Sequence, residues 1–327
     1  MVSRIKKTFE FYSVYEKRIT FAGMKHMLRL FMLVLVATMA ASCKRTNNEV
    51  QNQQADGDDS NISTFFDTRK NSRNAAKLEM PALRPRSGEQ ILYRKAYTTA
   101  YNKNTKQADW VAWNLKGENT DGRFKRQGIS FHEDMDVPAP RATDNDYFTS
   151  RYDRGHHCPS GDCKWDKQAQ EESFLFTNVS PQNHNLNGGD WNDLEQQCRY
   201  WAKKYGELYI VCGPIFDSTQ NRKTIGKNKV AVPDRYFKVI LCMKDSPKAI
   251  GFIYENRSGH KKMSERVVNI DEVERITGLD FFPSLNDNIE KNVESKSVRA
   301  IFSDWDLGKA DKYNEREYHQ RKNHKNR

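Results

Sequence analysis

The chain has 327 residues, of which 37% are hydrophobic, 11% aromatic and 30% charged, and its formal net charge is +11. This composition is typical of a soluble globular protein with polar extensions. It excludes a polytopic membrane protein and a wholly disordered chain, and six cysteines are too few for a disulfide-rich miniprotein. The basic residues concentrate near both ends, so the charge of the body is only weak support for nucleic-acid binding.

The N-terminal segment is predicted to direct export. Residues 28–42 (LRLFMLVLVATMAAS) form a short apolar run that follows basic residues and ends in small residues directly before Cys43. This pattern resembles a bacterial lipoprotein signal, in which the Cys carries the lipid and becomes the new N-terminus. The alternative is a buried core helix. We therefore expect residues 1–43 to be a signal segment, starting at Met1 or Met24, and the protein to be an exported lipoprotein of the bacterial cell envelope, either periplasmic or surface-exposed.

The remaining chain divides into three predicted segments. Residues 44–77 are rich in Asn, Gln, Asp and Ser and predict a disordered linker, because they cannot bury enough apolar surface to fold. Residues 78–307 are predicted to form the folded domain, and residues 308–327 are predicted to be a basic tail.

The folded segment predicts an α+β domain with a mainly antiparallel central sheet and flanking helices, because strands and helices mix without strict βαβ alternation. Residues 185–206 predict the main helix, in which Leu194 and Cys198 belong to an apolar stripe and Gly206 marks the end. A second helix, or a turn followed by a helix, is predicted at 264–278, with Gly278 as its end. The predicted strands, rich in β-branched and aromatic residues, are 91–102, 109–117, 207–216, 236–244 and 248–256, the first two forming a hairpin.

Residues 148–195 concentrate the polar side chains suited to chemistry. Asp153, Arg154 and His156 share one polar loop, and Asn187 and Glu195 fall eight residues apart on one face of the predicted helix. A histidine, an amide and a carboxylate fit a hard, hydrated cation such as Mg²⁺ better than a soft-metal cage. The segment is therefore the candidate site.

The same segment resembles the DNA/RNA non-specific endonucleases of the ββα-metal fold, a family that includes secreted bacterial nucleases and mitochondrial endonuclease G. The family's DRGH motif stands at residues 153–156. Its second motif stands as Thr177-Asn178, Pro181-Gln182, Asn187, Trp191 and Leu194-Glu195. Flanking matches extend the resemblance over most of residues 90–285.

The resemblance implies a sugar-non-specific endonuclease that hydrolyses phosphodiester bonds of DNA and RNA and depends on Mg²⁺, with Mn²⁺ as a substitute. It implies that His156 is the general base, which agrees with the ability of imidazole to accept and release protons near neutral pH. Asn187 is implied as the direct metal ligand, and Glu195 is implied to act on the metal through water.

The resemblance also assigns roles to the charged residues around the base. Arg154 is implied to bind the scissile phosphate or to shape the loop, and Asp153 to orient the motif. The family uses an upstream Arg, for which Arg126 is the candidate and Arg123 the rival.

Two other interpretations concern the residues after the motif. His157, Cys158 and Cys163 could suggest zinc, although their spacing matches a closed zinc site poorly. A disulfide between two of the five cysteines beyond Cys43 is a better expectation for an exported protein.

Two alternative functions stay open. One is another metal-dependent phosphoesterase that acts on small phosphate esters. The other is a non-catalytic nucleic-acid-binding lipoprotein, which the joint presence of His156, Asn187 and Glu195 argues against. The expected partners are DNA and RNA as substrates and a membrane contacted through a lipid at Cys43.

Overall fold

The computed structural model describes residues 77–83, 86, 88–218, 220–307, 310–311, 316 and 319–320. The predicted signal segment, residues 44–76 of the predicted linker and most of the predicted tail lie outside these residues. No helix among the described residues is long and apolar enough to cross a membrane.

Eleven strands are present in the described part of the chain. They are β1 (Glu89–Tyr93), β2 (Thr98–Asn102), β3 (Gln107–Lys116), β4 (Tyr152–His156), β5 (Val179–Asn183), β6 (Glu207–Ile215), β7 (Thr224–Ile225), β8 (Val230–Ala231), β9 (Arg235–Cys242), β10 (Lys248–Glu255) and β11 (Val267–Val268). The longer α-helices are α1 (Asp144–Phe148), α2 (Lys167–Glu172), α3 (Asn192–Tyr205), α4 (Ile270–Thr277), α5 (Asp287–Glu294) and α6 (Val298–Trp305).

The central sheet has seven strands in the order β1-β2-β3-β6-β9-β10-β11, and every neighbouring pair is antiparallel. The α+β prediction with a mainly antiparallel sheet is therefore confirmed. Both faces of the sheet are covered, so successive residues of one strand enter different cores. In β3, for example, Val111 and Trp113 join the core beneath α3, whereas Trp110 and Ala112 join the core beneath α4 and α5.

A second, two-stranded sheet lies outside the central one. It pairs β4 with β5 in antiparallel register, with Asp153 opposite Gln182 and His156 opposite Val179. A short helical turn, His184–Leu186, follows β5, then a π-helical segment, Asn187–Trp191, and then α3. This β4–β5–α3 unit contains both predicted motifs.

Two predicted elements differ from the observed ones. Residues 91–102 are not one strand, because a tight turn in which the Arg94 amide donates to the Tyr97 carbonyl separates β1 from β2. The predicted helix over 185–206 is broken at Gly189, whose backbone is non-helical (φ −114°, ψ −114°). The segment 264–278 is a turn followed by a helix, as the sequence allowed: a 3-10 turn (Met263–Arg266) precedes α4, which Asn269 caps and which Gly278 ends in a left-handed conformation.

Helix α6 is predicted to be an integral part of the core. Trp305 is completely buried, its ring lies 4.7 Å from that of Trp201, and its indole N–H donates to the Ala249 carbonyl. Trp305→Ala should therefore lower the free energy of unfolding by about 3–5 kcal/mol, measured by urea denaturation. Phe302→Ala, on the same helix at a side chain 38% exposed, should change it by less than about 1 kcal/mol. Equal effects of the two substitutions would contradict this packing.

Candidate active site

A cleft of about 830 Å³ opens beside β4 and the start of α3. All six residues predicted for the site line it, although they come from four separate segments of the chain. They are Arg126, Asp153, Arg154, His156, Asn187 and Glu195. The cleft also contains the basic side chains of Lys125, Lys164 and Arg199, which make it suitable for a polyanion.

The hairpin that supports the site depends on a glycine. A Cβ on Gly155 would lie 2.4 Å from Oε1 and 2.5 Å from Cβ of Gln182, so no larger residue fits without displacing β5. Gly155 pairs with Ser180 at this point of the ladder. The glycine of the DRGH motif thus permits the close approach of the two strands, and the strands fix the side chains on either side of it.

His156 occupies an aromatic pocket at the end of β4. Its ring centroid lies 5.1 Å from that of Phe131 and 5.2 Å from that of Phe174. Its Nε2 is buried and has no hydrogen-bond partner in the described structure, so Nδ1 is the nitrogen left to face the cleft. Burial, together with the nearby Arg126 guanidinium, lowers the pKa of His156 to about 3. The imidazole is therefore neutral at physiological pH and can accept a proton.

Asp153 joins the hairpin to the segment that precedes α3. Its carboxylate accepts a hydrogen bond of 2.9 Å from Nδ2 of Asn187 and lies 3.0 Å from Nδ1 of His184. Because the amide nitrogen of Asn187 is engaged, its Oδ1 is the atom available to the cleft. An amide oxygen fixed in this way is a suitable ligand for a hard cation.

Glu195 lies on the first turn of α3 and lines the same cleft. Burial raises the pKa of its carboxyl group, and the positive charges of Lys238 and Arg199 oppose that rise. The oxygens of Asn187 and Glu195, with no thiolate beside them in the cleft, fit Mg²⁺ or Mn²⁺.

The two cationic residues predicted for the site are held differently. Nε of Arg154 donates to Asp144 on α1 at 2.6 Å, and its guanidinium lies over the rings of Phe131 and Tyr147. Arg126 lies over the ring of Phe174, 5.5 Å from its centroid. The rival Arg123 instead lies over Phe124 and is not among the residues that line the cleft.

His157, Cys158 and Cys163, which follow the DRGH motif, are not among the residues that line the cleft. His157 is 1% exposed, and its Nε2 lies 2.6 Å from Oγ of Ser180. The described residues contain one group of three His, Cys, Asp or Glu side chains that are close enough to share a metal ion. That group does not include His157, Cys158 or Cys163, so the zinc interpretation finds no support. The expected disulfide is wrong for this structure, because all five described cysteines are free thiols buried in the core.

Two functional candidates were missed by the sequence interpretation. Arg199 lines the cleft and forms a 2.9 Å ion pair with Asp162; it stands four residues after Glu195, so extending the polar stripe of the helix by one turn would have found it. Lys238 is completely buried in β9, and its Nζ lies 4.6 Å from the centroid of the Trp191 ring without a hydrogen-bond partner in the described structure. A lysine inside an apolar strand was the available signal for it.

The fold and the cleft together define a ββα-metal nuclease: a β-hairpin followed by a helix, with the histidine on the hairpin and the asparagine and glutamate at the start of the helix. Residues 74–288 match the sequence model of the DNA/RNA non-specific endonuclease family. The chain belongs to this family, which confirms the resemblance seen in the motifs.

Several relatives are similar over this region. Mitochondrial nuclease EXOG of Danio rerio is 34% identical over 216 residues, which are 62% of this chain and 63% of that protein, so the chain spans less than two thirds of the relative's length. Mitochondrial endonuclease G of Bos taurus is 34% identical over 214 residues, covering 60% and 70%. A nuclease of Nostoc sp. (strain PCC 7120 / SAG 25.82 / UTEX 2576) is 32% identical over 223 residues, covering 63% and 78%.

A solved structure shows the same fold. The crystal structure of an EndoG/EndoGI complex contains a chain that is 26% identical and aligns with a TM-score of 0.58, covering 64% of this chain and 91% of that one.

The burial of His157 predicts a pH-dependent contribution to stability. Burial, together with the charge of Lys238, lowers the pKa of His157 to about 3, below the value of about 6.5 expected in the unfolded chain. The unfolded state then binds the extra proton as the pH falls below about 6.5, so acid destabilises the folded protein. Between pH 7 and pH 5 the His157→Gln variant should lose about 2 kcal/mol less unfolding free energy than the wild type. The free energy of unfolding is measured by urea denaturation at both pH values. An equal decrease in the wild type and in His157→Gln would contradict this prediction.

Proposed function

We propose that the protein is a metal-dependent, sugar-non-specific endonuclease that hydrolyses phosphodiester bonds of DNA and RNA. The observation that carries the proposal is the convergence of His156, Asn187 and Glu195 in one basic cleft. Membership of the non-specific endonuclease family supports it. The relatives' names, which describe nucleases and endonucleases, support it further.

The proposed metal is Mg²⁺, with Mn²⁺ as a substitute. Oδ1 of Asn187 would hold it directly, and Glu195 would hold water in its coordination shell. When bound, the metal supplies electrostatic stabilisation of the negative charge that develops on the phosphate and on the leaving oxygen.

The protein's own groups would carry the remaining steps. The neutral His156 imidazole, with its proton on Nε2, would accept a proton at Nδ1 from the attacking water. Arg154 and Arg126 would bind the non-bridging oxygens of the scissile phosphate, because guanidinium groups donate two parallel hydrogen bonds to such oxygens. Asp153 would act by keeping the Asn187 amide oriented.

The cleft favours a polymer over a small phosphate ester. Lys125 and Lys164 line the cleft together with Arg199, outside the six residues that were predicted for the site. These three basic side chains would contact successive backbone phosphates, and such contacts would not distinguish one base sequence from another.

Wild-type protein should therefore cleave plasmid DNA and RNA in Mg²⁺ and lose activity in excess EDTA. Hydrolysis of small phosphodiesters without cleavage of polymers would favour the alternative phosphoesterase, and binding without cleavage would favour the non-catalytic alternative.

We also propose that the protein is exported and anchored by a lipid on Cys43. The signal-like residues 28–42 and the small residues before Cys43 support this proposal. Mass spectrometry of the protein from its native source should show a diacylated or triacylated Cys43 at the N-terminus. An unmodified N-terminus at another residue would contradict the anchor.

The role of His156 makes the sharpest prediction about turnover. His156→Ala should lower the rate of plasmid cleavage by about 10²–10⁴-fold or more, because it removes a positioned proton acceptor. The melting temperature of the variant should stay close to that of the wild type. The substitution breaks no hydrogen bond of Nε2, because this atom has no partner in the described structure.

The neighbouring histidine provides the matched control. His157→Gln, at a buried side chain that faces Ser180, should retain activity per folded molecule. An active His156→Ala together with an inactive, folded His157→Gln would overturn the assignment of the base.

A further inference from the structure

Three carboxylates meet on the face of the central sheet opposite to the cleft. Asp271 and Glu274 are three residues apart on α4 and therefore share one helix face, and Glu294 is the last residue of α5. One carboxylate oxygen from each lies within 4.8 Å of those of the other two. Helices α4 and α5 pack on the core formed by Phe281, Phe282 and their neighbours, whereas α3 and the cleft belong to the other core.

Glu294 is the buried member of this cluster. Its side chain is only 9% exposed, and its Oε1 is buried without a hydrogen bond in the described structure. Glu274 is partly engaged, because its Oε1 accepts a 2.7 Å hydrogen bond from the Phe281 amide. Asp271 is exposed, so the cluster is open to solvent on one side. A buried carboxylate oxygen without a donor is unfavourable unless a proton or a cation compensates for it.

The electrostatics of the cluster are unfavourable for three ionised carboxylates. Burial, and then repulsion from Glu274 and Glu290, raises the pKa of Glu294 to about 9. Burial also raises the pKa of Glu274 to about 7. Three carboxylates this close together repel one another, and a bound cation would offset that repulsion and displace any protons held on them.

The ligand set selects the class of cation. All three groups offer oxygen and none offers nitrogen or sulfur, which favours a hard ion. Ca²⁺ accepts flexible, irregular oxygen shells at about 2.3–2.6 Å, whereas Mg²⁺ requires a near-ideal octahedron at about 2.0–2.1 Å, so carboxylates held on two separate helices suit Ca²⁺ better. Water can complete the shell on the open side next to Asp271.

We propose that Asp271, Glu274 and Glu294 form a structural Ca²⁺ site that joins α4 to α5, separate from the metal used in the cleft. The site stabilises the layer of helices behind the sheet and takes no part in phosphodiester cleavage. Its existence does not depend on the proposed nuclease activity, because none of its ligands lines the cleft.

The test uses the full chain carrying Asn187→Ala, which removes the direct ligand proposed for the metal in the cleft. After chelation, calorimetric titration with CaCl₂ should show one Ca²⁺ bound per chain. Free Ca²⁺ about a hundredfold above its Kd should raise the melting temperature by about 5 °C or more. An equal rise with Mg²⁺ at the same concentration would contradict a site built for a calcium-sized ion.

Three further substitutions in the same background locate the site. Glu294→Gln and Asp271→Asn should each abolish the Ca²⁺-dependent rise, and Glu294→Gln should melt at a higher temperature than its parent in EDTA because it removes the buried carboxylate. Glu272→Gln is the control, since that carboxylate lies on α4 but pairs with Arg275, and it should retain the full rise. If Ca²⁺ does not change the melting temperature of the Asn187→Ala parent, the proposal is overturned and protons alone stabilise the cluster. Retention of the rise in both Glu294→Gln and Asp271→Asn would overturn it as well.

Discussion

The hydrogen bond from Nδ2 of Asn187 to Asp153 is the contact on which the geometry of the cleft depends. It joins the DRGH strand to the segment before α3, which lies more than thirty residues later in the chain. The bond fixes the Asn187 amide with its oxygen toward the cleft. The close approach of β4 and β5 at Gly155, where a side chain would overlap Gln182, holds the strand that carries Asp153 in place.

The electrostatic design of the site combines a neutral base with a concentration of fixed positive charge. Aromatic packing against Phe131 and Phe174 keeps His156 uncharged, so the side chain that must accept a proton starts without one. On the other side of the cleft, Arg199 and the buried Lys238 oppose the burial of Glu195 and favour its charged form. Lys238 itself lies against Trp191 and Trp113, so the core beneath α3 also contributes to the electrostatics of the cleft.

The sequence predicted the parts of this arrangement that depend on local pattern or on ordered motifs. The strands β6, β9 and β10, the end of α3 at Gly206 and the six residues in the cleft followed from β-branched and aromatic content, a glycine stop and the family motifs. The motifs could not show that β4 and β5 pair with each other, because strand pairing is a property of the whole fold. The break at Gly189 was also hidden, since a regular apolar stripe continued across it.

Burial accounts for most of the remaining differences. The five described thiols are part of the cores, and cysteine spacing alone could not distinguish them from a disulfide framework. Lys238 and Glu294 are buried charged residues whose surroundings come from distant segments, so the sequence could not show what surrounds either of them. Glu294 in particular gains its neighbours only when α5 packs against α4.

The central claim is that Asp153 acts through Asn187 to present one amide oxygen to the catalytic metal. A double-mutant cycle tests it most directly, with the Mg²⁺ concentration for half-maximal plasmid cleavage measured in wild type, Asp153→Ala, Asn187→Ala and the double variant. If the hydrogen bond is the means of action, Asp153→Ala raises the Mg²⁺ requirement in the wild type and adds little once Asn187 is gone. Independent, additive shifts from the two substitutions would contradict the account.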